Sequence, residues 1–313
     1  MLLATRDRAA SLDSTLESLA AQVAPGTAWE VLVADNGSRD ATATALARWS
    51  RRLPLRWVGE PRPGKNRALN RLLPMARGRL LLFTDDDVLF APGWIAGHAA
   101  AAARWPDHAI FAGVVRPLFP APPPSWAMRA RFQSILFAAY EHGAVEQPTS
   151  QLPFGPNYAI RASTICSTRF DDSVGPNGAE YPMGGETELL RRLTRGGALT
   201  VYVPGAVVEH VIRAEQLTET FVIERAMRFG RGLVRLGDVS WSPHRVFGVP
   251  RYLLRQLAEA WVARCWARLA HDRDARLARV FAYHTVLGSI AECRESGWPL
   301  PPDEGIPRRA TVA

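Results

Sequence analysis

Three consecutive carboxylates, Asp85 to Asp87, follow the apolar run Leu80–Phe83 and Thr84. A short continuous apolar run is typical of a buried strand in a parallel sheet. Because unpaired charges are too costly to bury, we expect the acids where the strand leaves the core, at its carboxyl end. Ligands bind at that edge of an open α/β sheet. The triplet therefore indicates either a site for a hard divalent cation and phosphate or a solvated acidic turn.

A single ammonium group is the second feature that could do chemistry. Lys65 is the only lysine among the 38 basic residues of the chain, so arginine is strongly preferred elsewhere. It lies in the glycine-containing loop Pro61–Arg67. A lone lysine in such a loop indicates a need for its compact charge, although chance retention is the alternative.

Alternating strands and helices must position these groups. Strands are predicted at 1–5, 29–34, 55–59 and 80–84, with amphipathic helices between them. Ser38 is placed to cap the second helix, and Pro25 and Gly26 to end the first. This alternation predicts an α/β fold with a mostly parallel sheet and helices on both faces. The polar residues after each strand then converge on one crevice. The first strand is not followed by a GxGxxG sequence, which disfavours an ordinary dinucleotide-binding site.

Composition narrows the classes of partner. The formal net charge is +8, which favours an anionic partner such as a nucleotide-linked substrate or a membrane surface. No zinc finger or aromatic–basic RNA motif is present, so we expect no nucleic acid partner. Three distant cysteines, Cys166, Cys265 and Cys293, do not form a disulfide framework. With no secretory leader and no apolar run of about 18 residues, we expect a cytoplasmic protein.

Several segments, taken in order, resemble the motifs of inverting family 2 glycosyltransferases with the GT-A fold. They are Ala4–Arg8, Asp35–Asp40, Pro63–Asn70, Phe83–Asp87, Gly184–Leu189 and Glu209–His210. Each motif alone is weak, but the ordered set is specific and covers about residues 1–212. The resemblance implies a GT-A sheet flanked by helices, a nucleoside-diphosphate sugar donor and Mn²⁺ or Mg²⁺. Uridine is favoured as the nucleobase by family frequency alone.

The resemblance also implies the residues that bind the donor. Asp35 matches the residue that hydrogen-bonds the nucleobase. Thr5 and Asp7 would lie beside the base and the ribose. Lys65 and Arg67 would lie near the base or the phosphates.

The acidic triplet matches the DxD motif of the family. Asp87 is implied as a direct metal ligand, and Asp85 as a ribose or donor contact and a second candidate ligand. Asp86 would face the sugar. His210 matches a position that supplies a further metal ligand in some members, which suits a neutral imidazole. The alternative for His210 is a buried, hydrogen-bonded histidine.

The catalytic base is where the chain departs from the family pattern. Many members carry Glu-Asp before the helix, but here Gly185 and Glu186 align with that pair. An inverting transfer needs a carboxylate to take the proton of the acceptor hydroxyl. A carboxylate in the first turn of a helix is kept ionised by the helix dipole. We therefore expect Glu186 to be the base, with Glu188 as second choice and helix capping as the structural alternative.

The resemblance divides the chain into three parts. We expect a GT-A domain at 1–212, with a nucleotide-binding half at 1–116 and an acceptor-binding half at 117–212. A helical extension follows at 213–300 and a flexible tail at 301–313. The extension is rich in arginine and carries Trp241, Trp261 and Trp266. It could meet the inner face of a membrane, or pack on the GT-A domain or on a second subunit of a homodimer.

Other functions compete with a transferase. A sugar-phosphate nucleotidyltransferase normally has a glycine-rich loop after its first strand, and Thr5–Arg8 lacks one. A phosphatase of the HAD type needs a DxDxT sequence, which Asp85–Val88 does not supply. A catalytically inactive nucleotide-sugar binding protein is the third alternative, and the metal acids and Glu186 argue against it. The sugar and the acceptor, whether polysaccharide, glycolipid or natural product, have no readable code.

Overall fold

A computed structural model describes residues 1–22, 26–165, 167–178, 180–267 and 272–297. The strands in chain order are β1 Leu2–Thr5, β2 Val31–Asp35, β3 Leu55–Gly59, β4 Leu80–Thr84, β5 Val88–Phe90, β6 Ile110–Leu118, β7 Gln147–Thr149, β8 Asn157–Arg161, β9 Thr200–Val211, β10 Arg245–Val246 and β11 Val249–Pro250. The helices are α1 Ala9–Ala20, α2 Thr42–Trp49, α3 Lys65–Leu72, α4 Trp94–Arg104, α5 Ala130–Phe137, α6 Ala162–Ile165, α7 Gly185–Arg195, α8 Glu219–Arg235, α9 Arg251–Ala267 and α10 Arg273–Ser296.

One mixed sheet runs through the first part of the chain in the order β3-β2-β1-β4-β8-β6-β9-β5, with β7 beside β9. The four N-terminal strands are mutually parallel, as the strand–helix alternation predicts. Beyond β4 the sheet is mixed, because β8 runs antiparallel to both β4 and β6 whereas β6 and β9 are parallel. The predicted α/β class is confirmed, but the sheet is mixed rather than mostly parallel, since beyond β4 only the β6–β9 pair among the described strands is parallel.

Both faces of the sheet are covered because successive strand side chains point to opposite sides. Leu3 and Val33 pack with the apolar stripes of α1 and α2 on one face. Leu2 and Leu32 pack with α3 and α7 on the other face. Every residue of β2 is buried, as expected for a central parallel strand covered on both sides.

The carboxyl ends of the parallel strands meet at one edge. Thr5 pairs with Asp35, and Asp35 pairs with Gly59, in the sheet register. The chain continues this pairing for one residue, since Asn36 N–H donates to Thr5 O and Glu60 N–H donates to Asp35 O. The predicted convergence of strand ends is therefore present.

Local signals were less reliable than the strand pattern. Helix α2 begins at Thr42 after Ala41, so Ser38 does not cap it. Ser38 instead accepts a hydrogen bond from the N–H of Asp7, across the loops that follow β2 and β1. Pro25, the predicted end of α1, lies outside the described residues. Cys166 and the predicted tail at 301–313 also lie outside them.

The chain divides into two compact units. The first comprises Met1–Ala179 and Gly184–Thr218, and the second comprises Glu180–Met183 and the chain from Glu219 onward. In the second unit α8 and α10 pack closely at glycines, because a Cβ added at Gly230 would lie 1.9 Å from the carbonyl oxygen of Thr285. No helix within the described ranges combines the length and apolar composition needed to cross a bilayer.

Candidate active site

The acidic triplet is more buried than its charge suggests. Asp86 and Asp87 are 5% and 7% exposed, so the expectation that all three acids lie outside the core is wrong for two of them. Arg8 Nη1 donates to Asp86 Oδ1 at 2.8 Å and to Asp87 Oδ2 at 2.7 Å. Burial raises the pKa of Asp86, although Arg8 opposes it. A guanidinium of the chain itself thus supplies the neutralising charge.

Asp86 points toward the first strand. Its Oδ2 accepts a hydrogen bond of 2.7 Å from Thr5 Oγ1, and its backbone carbonyl accepts one from Ser11. Both carboxylate oxygens of Asp86 are therefore engaged by Thr5 and Arg8. This placement fits a structural anchor between β1 and the triplet better than the sugar contact that the family resemblance implies.

Lys65 lies between the acidic triplet and the predicted base, Glu186. Its Nζ donates a hydrogen bond to Asp85 Oδ1. A Cβ added at Gly155 would lie 3.6 Å from both Lys65 Nζ and Glu186 Oε1, so these two groups flank the same point. Burial would lower the pKa of Lys65, but Asp85 and Glu186 outweigh it and raise the pKa above its ordinary value. The ammonium is therefore retained between two carboxylates.

Glu186 lies in the first turn of α7, as predicted. The N–H of Gly155 donates to Glu186 Oε1 at 3.3 Å. Burial raises the pKa of the neighbouring Tyr158 well above its ordinary value, and the charges of Glu186 and Asp85 add to that rise. Glu188 is instead held by the guanidinium of Arg192, with distances of 2.6 and 2.7 Å. This arrangement favours Glu186 over Glu188.

Asp87 and His210 face one another across the β5–β9 pairing. The N–H of Val211 donates to the carbonyl of Asp87, which fixes the register at this point. Oδ1 of Asp87 lies 3.6 Å from Nε2 of His210, and Nδ1 of His210 is 2.8 Å from the carbonyl oxygen of Phe137. A carbonyl can only accept, so Nδ1 carries the proton and Nε2 presents a lone pair in the neutral ring. Burial acts to raise the pKa of Asp87, but His210, Arg8 and Arg213 lower it below its ordinary value.

The predicted set of Asp85, Asp87 and His210 does not form a ready-made metal cage. Asp85 is paired with Lys65, whereas Asp87 and His210 face each other. Across the described ranges, no group of three or more His, Cys, Asp or Glu side chains is arranged to hold a metal ion. Any cation here would have two protein groups, Asp87 and His210, facing it.

The predicted nucleobase residues lie at the same sheet edge. Asp35 is buried and its Oδ1 accepts a hydrogen bond from the N–H of Ser38 at 2.9 Å. Asp7 is exposed, has a φ of +50°, and accepts a hydrogen bond from the N–H of Arg39. Thr5 is the register partner of Asp35. The loops after β1 and β2 are thus tied together beside these three side chains.

Arg67 lies apart from Lys65 and its ion pairs. Its Nε is 3.3 Å from Oδ2 of Asp172. Arg67 lines a cleft of about 500 Å³ together with Glu60, Arg62 and Asp172, next to α3. Lys65 and Arg67 therefore point to different neighbours, and a phosphate at the triplet would meet Lys65.

Two asparagines that the sequence did not single out hold the Lys65 loop. Asn36 accepts from the N–H of Gly64 and donates to the carbonyls of Glu60 and Arg62. Asn66 donates to the carbonyls of Asp171 and Val174. The strand-end position of Asn36 was the available signal, because a short amide after a strand suits a turn. Arg8 was also missed as a partner of the acids, although it lies within the first motif.

Comparison with known proteins decides the family. Residues 2–156 match the model of the family "Glycosyl transferase family 2". The chain belongs to this family. A validoxylamine A glucosyltransferase from Streptomyces hygroscopicus subsp. jinggangensis is 34% identical to this chain over 105 residues. That match covers 33% of the chain and 25% of the relative, so it spans a quarter of the relative's length.

Solved structures support the GT-A fold of this glycosyltransferase. The mannosyltransferase PcManGT from Pyrobaculum calidifontis, in complex with GDP-Man and Mn²⁺, has a TM-score of 0.64 at 18% identity, over 93% of this chain and 85% of that one. TarS 1-349 of S. aureus has a TM-score of 0.53 at 15% identity, over 94% and 88%. At these identities the likeness concerns the fold alone. The match to a glycosyltransferase family disfavours the nucleotidyltransferase alternative.

Proposed function

We propose that this glycosyltransferase is an inverting enzyme in which Glu186 is the base, and that it transfers a sugar from a nucleoside diphosphate to an acceptor hydroxyl. The observation that carries the proposal is the position of Lys65, whose ammonium is bonded to Asp85 and lies beside Glu186. The candidate base and the acidic triplet thus lie near one ammonium group, although 99 residues separate Glu186 from Asp87. The reacting groups of donor and acceptor would meet between them.

The transfer is a single displacement. Oε1 or Oε2 of Glu186 takes the proton of the acceptor hydroxyl as that oxygen attacks the anomeric carbon. The bond between the anomeric carbon and the diphosphate oxygen breaks on the opposite face, and the diphosphate leaves with the electron pair. Lys65 provides a fixed positive charge beside the reacting groups, which supports electrostatic stabilisation of the anionic leaving group.

A divalent cation fits one feature of this site. The lone pairs of Asp87 Oδ1 and His210 Nε2 face each other at 3.6 Å, and the proton of the imidazole is held at Nδ1 by the carbonyl of Phe137. In the neutral ring Nε2 can bind a cation together with Asp87, whereas a protonated Nε2 pairs with Asp87 directly. We propose that Asp87 and His210 hold Mn²⁺ or Mg²⁺. When bound, the cation offsets the charge that grows on the leaving diphosphate.

The nucleobase stays open between uridine and guanosine. PcManGT was solved with GDP-Man, whereas TarS 1-349 was solved with UDP-GlcNAc. We propose that Asp7 and Asp35 meet the base and ribose, because they share the sheet edge beside the triplet. Thr5 is buried with its hydroxyl bonded to Asp86, so it supports this edge instead. The half of the first unit that follows β6 would then receive the acceptor.

The test compares Glu186→Gln with Glu188→Gln, two isosteric changes within the first turn of α7. Donor turnover with Mn²⁺ and nucleotide binding are measured for both. Loss of a general base reduces the rate about 10²–10⁴-fold, so we expect that loss for Glu186→Gln with nucleotide binding retained. Glu188→Gln should keep most of the rate, since Glu188 is paired with Arg192.

Two results would contradict this proposal. Equal turnover by Glu186→Gln and the unmodified chain would remove Glu186 as the base. Nucleotide-sugar binding without turnover in the unmodified chain, across a panel of acceptors that includes water, would support the inactive binding protein instead.

A further inference from the structure

The exposed apolar side chains of the second unit are concentrated in one short stretch. Ten large hydrophobic side chains are exposed in the part of the chain that the structure describes, and five of them lie between residues 246 and 267. They are Val246, Phe247, Trp261, Val262 and Trp266. Strand β11 leads directly into α9, so these side chains belong to one hairpin and the helix that follows it. We call this stretch the hairpin–α9 surface.

The tip of the hairpin carries a residue that does not suit its turn. Val246 pairs with Val249, which leaves Phe247 and Gly248 as a two-residue loop. Their φ angles are +49° and +79°, the left-handed pair of a type I′ turn. Asn-Gly is the preferred sequence for such a turn, and a bulky residue at positive φ is strained.

Phe247 gains no burial in return for that strain. Its side chain is 89% exposed, the highest value among the exposed large hydrophobic residues of the described chain. An aromatic side chain that is strained and unburied within its own chain is best explained by a contact outside it. The turn therefore presents Phe247 to a partner.

The charges around Phe247 indicate the chemistry of that partner. Residues 242–267 contain four arginines, Arg245, Arg251, Arg255 and Arg264, and a single acid, Glu259. Arg251 and Arg255 are exposed, and their spacing from Val262 and Trp266 puts all four on one face of α9. Glu259 shares this face and its Oε1 lies 3.3 Å from Nε of Arg255, an exposed pair that is weak enough to exchange for lipid phosphate. Cations mixed with aromatic and aliphatic side chains on one helix face are typical of a helix that lies on an anionic bilayer.

We propose that the hairpin–α9 surface docks on a bilayer that contains anionic lipid. Phe247 enters the boundary between headgroups and acyl chains, Trp266 lies at the headgroups, and Arg251 and Arg255 meet lipid phosphates. A second copy of the chain fits less well, because the same arginines would be brought to the interface from both sides. The proposal does not depend on the transferase chemistry. The sequence analysis considered Trp241 as a membrane-contacting residue, but Trp241 is half-buried, and the exposed Phe247 takes that role instead.

The experiment is flotation of the full chain with phosphatidylcholine vesicles and with vesicles that also contain phosphatidylglycerol. We expect binding to the anionic vesicles only, and weaker binding as salt is raised. The informative variant is Phe247→Asn, because asparagine suits the turn and should leave the melting temperature equal or higher. The variant lacks the aromatic ring that would enter the bilayer, so vesicle binding should weaken about tenfold.

Val145→Asn is the matched control, since Val145 is an exposed apolar residue of the first unit. This variant should bind vesicles as tightly as the unmodified chain. Arg251→Gln with Arg255→Gln should weaken binding and reduce its salt dependence. Unchanged binding by Phe247→Asn would overturn the proposal. An unmodified chain that stays in the soluble fraction would also overturn it. So would an unmodified chain that binds no vesicles but forms a dimer, if Phe247→Asn makes that dimer dissociate.

Discussion

Nη1 of Arg8 lies 2.7 Å from Oδ2 of Asp87, the acid proposed to face the metal. The same nitrogen lies 2.8 Å from Oδ1 of Asp86, and Arg213 Nη1 is 3.5 Å from Asp87 Oδ2. A cation of the chain therefore occupies the position at which the sequence predicts a bound one. A divalent ion and its diphosphate would enter a cluster whose charge is already largely balanced.

Removal of Arg8 should expose the acids to added metal. For Arg8→Gln we expect about 1–3 kcal/mol lower unfolding free energy, because two mostly buried carboxylates lose their partner while water partly screens the site. Mn²⁺ alone should then raise the melting temperature more in this variant than in the unmodified chain. Arg6→Gln is the control, since Arg6 is exposed and faces Asp7. If Mn²⁺ raised the melting temperature of all three proteins equally, Arg8 would not be the group that neutralises the acids in place of a metal.

Loss of His210 should weaken metal binding without loss of the nucleotide site. In the presence of UDP or GDP, we expect His210→Ala to bind Mn²⁺ at least about tenfold more weakly, as measured by calorimetry. The reason is that Nε2 of His210 and Oδ1 of Asp87 are the two lone-pair groups that face each other. His142→Ala, a change at an exposed histidine, should leave metal affinity intact. Retained affinity in His210→Ala would assign the metal to other groups.

Gly185 should be intolerant of a methyl group. A Cβ at this position would lie 2.6 Å from Nδ2 of Asn66, the buried amide that holds the carbonyls of Asp171 and Val174. Gly185→Ala must displace either this amide, with its two hydrogen bonds, or the start of α7. Either shift disturbs the surroundings of Glu186, so we expect kcat to fall about tenfold or more. Gly178→Ala is the control, because no atom lies within 4 Å of its added Cβ. Steady-state kinetics with equal kcat for both variants would contradict this placement.

Stability should fall in mild acid because of one buried histidine. Burial lowers the pKa of His98 to about 4 from an ordinary value of 6.5, although its hydrogen bond with Asn157 opposes the shift. Above about pH 6.5 the ring is neutral in both the folded and unfolded chain. As the pH falls toward about 4, only the unfolded chain takes up the proton, so up to about 3 kcal/mol is lost.

Urea unfolding at neutral pH and at about pH 5 checks this pH dependence. His98→Gln should show a smaller difference between the two conditions than the unmodified chain. His244→Gln, at an exposed histidine, should show the same difference as the unmodified chain. A pH dependence that persists unchanged in His98→Gln would assign it to other groups.

The sequence by itself determined the first half of the fold and the sheet edge at which the candidate site residues meet. Strand and helix periodicity depends on which neighbouring residues are buried, so β1 to β4 and the convergence of Thr5, Asp35 and Asp85 were readable without coordinates. The ordered motifs gave the family, which the match over residues 2–156 confirms. The first-turn position of Glu186 followed from the apolar spacing of α7.

Only the tertiary structure decided how the charges are paired. Arg8 and Asp87 are 79 residues apart, and no local pattern indicates that such groups will meet. The bonds of Asn36 to the Lys65 loop and the antiparallel course of β8 likewise depend on how distant segments pack. The pairing of Glu188 with Arg192 is by contrast local, because the two residues are four apart on α7. Burial of Asp86 and Asp87 is tolerable because packing brings Arg8 to them, and the net cost of burying a charge depends on that partner rather than on the charge alone.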